Sequence, residues 1–457
     1  MKLNPASHPM PQLTLTFIII FAALCSVQPS TAAEKPNIIV ILADDLGFGD
    51  LSSYGAKDMR TPHVDRLLNE GMKFSNAYAN CPVCSPTRAA LLTGQYPDMV
   101  GVPGVIRTHA ENNWGYFLPQ AVTLPQLLRG AGYRTAIVGK WHLGLESPNM
   151  PNHGGFDYFH GFLGDMMDDY YTHRRHDNNY MREDSKTIEP TGHATDLFSD
   201  WAIQWINTEA KTPAPFFLYL AYNAPHTPIQ PPADWLEKVR KREPNITEKR
   251  AKLVALIEHL DDGIGRVLAA VEQAGIEKNT LIVFASDNGG QLSVGANNGP
   301  WRGGKEDMYE GGLRIPFGVR WPSKIAPRSE SPQPVLSMDL LPTLCAAAEV
   351  PVTHKIDGLN FLPTLLGTTQ TLSPRDTLWV RREGGRYHGQ DYYALRRGPW
   401  KLLHNSPFSP LELYRLDDDP QETDELSKKH PQQFQELEKA LRAHLQRAGR
   451  IPWQKPD

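Results

Sequence analysis

Cysteine is scarce, four in 457 residues, which excludes the dense disulfide framework that staples small exported domains. Neither sign of charge dominates: 47 Lys and Arg face 51 Asp and Glu, a formal net charge of −4. The chain therefore lacks the basic excess of a nucleic-acid binder and the charge blocks of a disordered tail, and no nucleic-acid partner is expected. No repeat of fixed period is evident. Apolar residues make up 40%, an ordinary globular share. Glycine and proline are plentiful, 36 and 39, which points to many loops between short elements rather than to a helical bundle.

Lys2 precedes an apolar run from Leu13 to Val27, followed by Ser30-Thr31-Ala32-Ala33. The run is about 15 residues, short of the ~20 that a membrane-spanning helix needs, and the small residues after it suit signal peptidase. Residues 1–33 are predicted to be a secretory signal peptide. Leu24 before Cys25 argues against a lipoprotein anchor. The expected product is exported, periplasmic or extracellular, with no stable membrane insertion after cleavage. It keeps Cys81, Cys84 and Cys345, an odd count that leaves at least one thiol unpaired or chemically used.

From Pro36 to about Leu366 short apolar runs alternate with amphipathic segments, the pattern of an α/β domain built on a largely parallel sheet. Strands are predicted at 37–43, 134–138, 216–221, 281–285 and 316–320, and helices at 62–70, 124–130, 194–207, 248–274 and 338–348. After Gly367 the pattern changes to strand-like runs at 377–381, 392–396 and 400–403 and a final amphipathic helix over 431–448. The expected organisation is a large domain over 34–367 and a smaller α+β domain over 368–457.

Two predicted strands run into acidic ends, Asp44-Asp45 and Asp287-Asn288, where open α/β sheets form their ligand crevice. Three carboxylates and one amide suit a hard divalent cation, Ca²⁺ more than Mg²⁺, whereas zinc would call for His or Cys. An Asp pair after a strand also serves as a turn or helix cap, and that alternative stays open. A third signal is Cys81-Pro82-Val83-Cys84-Ser85-Pro86-Thr87-Arg88. Its C-x-x-C pair is compatible with a disulfide or redox dithiol, but a redox unit would leave the acidic strand ends without a use. The other reading is C-x-P-x-R at the start of an apolar helix.

These residues resemble the type I, formylglycine-dependent sulfatases of the alkaline phosphatase superfamily, over about nine-tenths of the chain. The most specific part is Cys84-Ser85-Pro86-Thr87-Arg88 with Leu92-Thr93-Gly94. It is supported by Asp44-Asp45-Leu46-Gly47, Gly139-Lys140-Trp141-His142, Ala224-Pro225-His226, Asp287-Asn288-Gly289 and Gly304-Lys305. The resemblance implies a large mixed, mostly parallel sheet flanked by helices, with a smaller C-terminal antiparallel sheet and terminal helix. It also implies that a separate formylglycine-generating enzyme oxidises Cys84 to Cα-formylglycine, and that one Ca²⁺ is held by Asp44, Asp45, Asp287, Asn288 and the modified Cys84. Arg88 would orient the hydrated aldehyde, Lys140 and Lys305 would neutralise sulfate oxygens, and His142 would take a proton from the hydrate. His226 would serve the leaving oxygen, sharing that task with Lys305. Cys81 departs from the pattern and could form a disulfide with an unmodified Cys84.

The expected reaction is hydrolysis of a sulfate monoester, with inorganic sulfate released from a sulfated carbohydrate. The segment from Asp165 to His176, with Trp114 and Tyr116, mixes aromatic and charged side chains suited to sugar rings, and is equally compatible with a solvated loop. Two alternatives are a phosphate or phosphonate ester hydrolase of the same superfamily and a non-catalytic glycan-binding protein on this scaffold.

Overall fold

A computed structural model describes residues 1–3, 5, 35–109, 113–368, 375–383 and 390–456. The predicted signal peptide lies almost wholly outside the described residues. Residues 35–457 form one compact unit.

Its centre is a ten-stranded sheet. Asn37–Ala43 lies between Thr280–Ser286 and Phe216–Ala221 and is parallel to both. Phe216–Ala221 pairs in parallel with Arg134–Lys140, which pairs in parallel with Tyr158–Phe162. Outside these five strands the pairing turns antiparallel, Phe317–Arg320 against Thr280–Ser286 on one side and Met181–Glu183 against Tyr158–Phe162 on the other. The expected mixed, mostly parallel sheet is therefore present, and the strand predicted at 316–320 runs against its neighbour.

The central strands read as unbroken apolar runs because both faces are covered. Ile38, Val40 and Leu42 point into a core that includes the helices Cys84–Thr93, Leu124–Gly130 and Leu340–Ala347. Ile39, Ile41 and Ala43 point into the other, with Pro62–Asn69, Ala194–Glu209 and the long helix Glu248–Gln273. Each large aliphatic side chain buried this way contributes about 1.5–3 kcal/mol. Helix starts follow capping rules: Thr123 and Gln126 form a capping box, and Thr247 accepts the Arg250 N–H.

Beyond residue 367 a four-stranded antiparallel sheet runs through Thr377–Glu383, Gln390–Arg397, Trp400–His404 and Glu412–Arg415, followed by the helix Pro431–Ala448. Leu395, Leu402 and Leu441 share a core with Tyr78, Ala90 and Met308, so this sheet packs on the segments that flank Cys84 and Lys305. A buried ion network accompanies that packing. Lys401, fully buried, reaches Glu310 at 2.8 Å and Glu422 at 2.7 Å, and Arg314 reaches Glu310 at 2.6 Å.

Candidate active site

Four adjacent parallel strands, in the order 280–286, 37–43, 216–221 and 134–140, open at one edge of the sheet. Their carboxyl ends deliver Asp287 and Asn288, then Asp44 and Asp45, then the turn leading to His226, then Lys140. Cys84 enters as the first residue of the helix Cys84–Thr93, whose positive end faces the crevice's anionic groups, and Arg88 follows one turn later. Every one of these side chains is buried. Gly289 admits the close backbone approach that seats Asn288: a Cβ there would lie 2.0 Å from the Gly311 carbonyl oxygen.

Three carboxylates and three cations interlock. Lys140 Nζ donates to Asp44 Oδ2 at 2.5 Å, and Lys305 Nζ donates to Asp45 Oδ2 at 2.7 Å. Arg88 places Nη2 at 2.8 Å and Nε at 3.2 Å from Asp287 Oδ2, while its Nη1 donates to the Lys140 carbonyl at 3.1 Å. Asp287 Oδ1 accepts the Asp45 N–H at 3.1 Å. Ligand atoms of Asp44, Asp45, Cys84 and His226 all lie within 4.8 Å of one another. Asp287 stands beside this group, turned to Arg88.

Two buried oxygen acceptors, Asp44 Oδ1 and Asn288 Oδ1, have no hydrogen-bond partner among the described residues. Asn288 turns its amide donor to Asp45 Oδ1 at 2.8 Å and so leaves its own oxygen open. Buried acceptors without donors are costly, and oxygen acceptors converging beside carboxylates are what a hard divalent cation satisfies. The donor set fits Ca²⁺. The formal charges of Asp44, Asp45 and Asp287 are balanced by Arg88, Lys140 and Lys305, so a divalent cation would leave the crevice net positive and receptive to an anionic ester.

The electrostatics follow from this crowding. Burial would raise the Asp44 carboxyl, but Lys140, His226 and Arg88 hold it well below the usual carboxylate range. Asp287 is pushed up to about 7, first by burial and then by Asp44, against the pull of Arg88. Burial, then Asp44, raise the Cys84 thiol well above its ordinary value. As encoded, Cys84 is a neutral thiol, which is a poor nucleophile.

Both histidines have assignable tautomers. His142 Nε2 lies 2.8 Å from the Ile106 carbonyl oxygen, which can only accept, so Nε2 carries the hydrogen. Its Nδ1 is buried with no partner among the described residues. His226 Nδ1 lies 2.7 Å from the Thr227 carbonyl, which leaves Nε2 as the acceptor of Lys305 Nζ at 3.0 Å. Burial first, then neighbouring lysines, depress both imidazoles, so both are neutral bases.

The candidate catalytic and metal-ligating residues Asp44, Asp45, Cys84, Arg88, Lys140, His142, His226, Asp287, Asn288 and Lys305 thus lie together in one crevice. His142 lies two residues past the last strand residue, Lys140, with φ 60°, so a left-handed turn and not strand alternation sets its direction. Cys81 and Cys84 are free thiols, and Cys81 donates to the Val380 carbonyl at 3.3 Å. Trp114 stacks on Trp453 with centroids 4.5 Å apart. The Ile106 carbonyl that orients His142 has no signal in the sequence, and Tyr170, within the aromatic segment noted there, donates its hydroxyl to the Asn223 and His226 carbonyls at 2.8 and 2.9 Å. Both contacts end on backbone carbonyls, whose positions depend on the fold.

A family model described as Sulfatase matches residues 36–350, and one described as N-sulphoglucosamine sulphohydrolase, C-terminal, matches residues 303–450. The chain is similar to mouse N-acetylgalactosamine-6-sulfatase, 35% identical over 375 residues, which is 76% of this chain and 69% of that one. It is also similar to mouse steryl-sulfatase, 29% identical over 559 residues, 96% of this chain and 86% of that one. Among solved structures, Ps i-CgsB in complex with k-i-k-neocarrahexaose superposes with a TM-score of 0.82 at 31% identity, covering 90% of this chain and 92% of that one.

Proposed function

From the premise that this chain belongs to the sulfatase family and is a sulfuric ester hydrolase, we propose that the Cys84 crevice releases sulfate from a sulfated carbohydrate, with Cys84 converted to Cα-formylglycine and one Ca²⁺ bound. The observation that carries this reading is the position of the Cys84 sulfur. It lies within 4.8 Å of carboxylate oxygens of Asp44 and Asp45, beside two unpartnered buried oxygen acceptors. A soft sulfur is out of place in a hard, oxygen-rich set; an oxygen-bearing residue 84 completes it. Asp44, Asp45, Asn288 and, by exchange of its Arg88 contact, Asp287 are the residues that would hold the ion.

When bound, Ca²⁺ would supply positive charge beside the sulfate, and formylglycine at residue 84 would supply an oxygen nucleophile. The remaining work belongs to side chains of the chain itself. Lys140 and Lys305 balance the charge of the sulfate oxygens. His142 Nδ1, with its lone pair open, is the base that would take a proton from the modified residue 84. Lys305, sharing a hydrogen with His226 Nε2, places a proton for the leaving oxygen, and Arg88 fixes Asp287 and the Lys140 backbone.

A relative named N-acetylgalactosamine-6-sulfatase and a structural neighbour holding a neocarrahexaose support a carbohydrate as the ester's alcohol. The N-terminal apolar run supports export, and the C-S-P-T-R sequence supports maturation by a formylglycine-generating enzyme. The test is sulfate release by protein coexpressed with that enzyme, from a panel of sulfated saccharides and an aryl sulfate, with phosphate and phosphonate esters as controls. Release from at least one saccharide is expected. Turnover of the phosphorus esters alone would overturn the assignment of substrate.

A further inference from the structure

The crevice continues sideways onto the strand next to Lys140. Phe162, the last residue of Tyr158–Phe162, stands opposite Lys140 in the sheet, and the following carbonyl, that of Leu163, accepts the His142 N–H at 3.2 Å. Asp165 comes two residues later. Thr108, two residues beyond the Ile106 carbonyl that orients His142, packs against Gly164, its Cγ2 lying 3.4 Å from where a Cβ would stand. Gly164, the neighbour of Asp165, therefore lies between two segments that both bond His142.

Asp165 is only 6% exposed. Its Oδ1 accepts the Met166 N–H at 2.9 Å and Arg175 Nε at 3.0 Å. Its Oδ2 has a single partner among the described residues, Arg175 Nη2 at 3.4 Å, which is long for a charge-assisted bond. Arg175 cannot close that gap by turning, because its Nη1 is held by Asp168 Oδ1 at 2.7 Å. The loop that carries Arg175 is fixed in turn by His173, His176 and Asp177, all at left-handed φ, a costly set of conformations typical of functional loops. The result is a buried carboxylate, two residues past the carbonyl that bonds the His142 N–H, whose Oδ2 has one long hydrogen bond among the described residues.

We propose that Asp165 Oδ2 accepts a hydrogen bond from a ring hydroxyl of the sugar that carries the sulfate, with Arg175 as the residue that positions it. The Asp165–Arg175–Asp168 group has a net charge of −1, so it favours a hydroxyl donor over a second anionic substituent. This makes Asp165 a specificity-determining residue, and it rests on the carbohydrate-sulfatase reading above. A site built to hydrogen-bond a hydroxyl discriminates strongly against an analogue that lacks it.

The test compares a sulfated saccharide that the wild type hydrolyses with an aryl sulfate, which has no ring hydroxyl, in Asp165→Asn and Arg175→Lys. Loss of one charged hydrogen bond predicts that kcat/KM for the saccharide falls about ten- to hundredfold in Asp165→Asn, mostly through KM, while the aryl sulfate rate stays unchanged. Arg175→Lys should give a smaller loss in the same direction, and it reads the same contact if Asp165→Asn does not fold. A deoxy analogue lacking the recognised hydroxyl should be hydrolysed equally by wild type and Asp165→Asn. Equal losses on saccharide and aryl sulfate, or no loss on either, would overturn the proposal. If the wild type releases sulfate from the aryl ester and from no saccharide, the carbohydrate reading fails instead.

Discussion

His142 and Ile106 stand in a fixed relation: the imidazole Nε2–H points at the Ile106 carbonyl oxygen 2.8 Å away, and the unpartnered Nδ1 is the ring atom left for chemistry. Substituting His142 should remove a general base and nothing else. The His142→Ala variant is expected to lose about 10²- to 10⁴-fold in kcat, with Ca²⁺ affinity retained. Steady-state kinetics with a Ca²⁺ thermal-shift titration checks both. A loss of Ca²⁺ binding would show that His142 holds the ion site together.

Metal dependence follows from the two open acceptors. Chelation should abolish turnover, and Ca²⁺ should restore it better than Zn²⁺, since the donors are predominantly oxygen. Asn288→Ala removes one acceptor, so the melting temperature of the variant should respond to Ca²⁺ only at higher concentration than the wild type's. An identical Ca²⁺ response in Asn288→Ala would exclude that oxygen as a ligand.

Stability should fall in mild acid, in part because of His193. This residue caps the helix Ala194–Glu209, accepting the Thr195 N–H on Nδ1 and donating from Nε2 to the Gln230 carbonyl. Burial first, then His259, depress it from 6.5 to about 4. The unfolded chain takes up the proton first as pH falls, so stability is lost between about pH 6.5 and 4. The His193→Asn variant keeps a capping oxygen and cannot titrate. Its thermal stability should be lower at neutral pH, where the Gln230 bond is missing, and flatter through that window.

Lys401 is fully buried between Glu310 and Glu422. Lys401→Met leaves two carboxylates buried without their shared cation, a change that costs about 3–5 kcal/mol. Chemical denaturation should show a loss of that size. Replacing all three residues by apolar ones of similar volume should recover much of it.

The sequence made the centre of the sheet legible because buried parallel strands are continuous apolar runs, as in Asn37–Ala43 and Phe216–Ala221, whose bounds agree with the structure. Tyr158–Phe162 was not legible. It is short and interrupted by Gly161, which is needed because a Cβ there would lie 2.0 Å from the Gly139 carbonyl. The helix Cys84–Thr93 is buried on every side and so shows no amphipathic period. The crevice residues were legible because their types and order are set by chemistry. The Ile106 carbonyl and the pairing of Asp165 with Arg175 were not, since both depend on where folding brings a backbone or a loop.

The most direct measurement is the peptide mass at position 84 in protein matured with a formylglycine-generating enzyme, taken with sulfate release by wild type, Cys84→Ala and Cys84→Ser. The expected result is an aldehyde in place of the thiol, sulfate release by the wild type, and no turnover in either folded variant. Substantial turnover by Cys84→Ala, or full activity with an unmodified thiol, would contradict the mechanism.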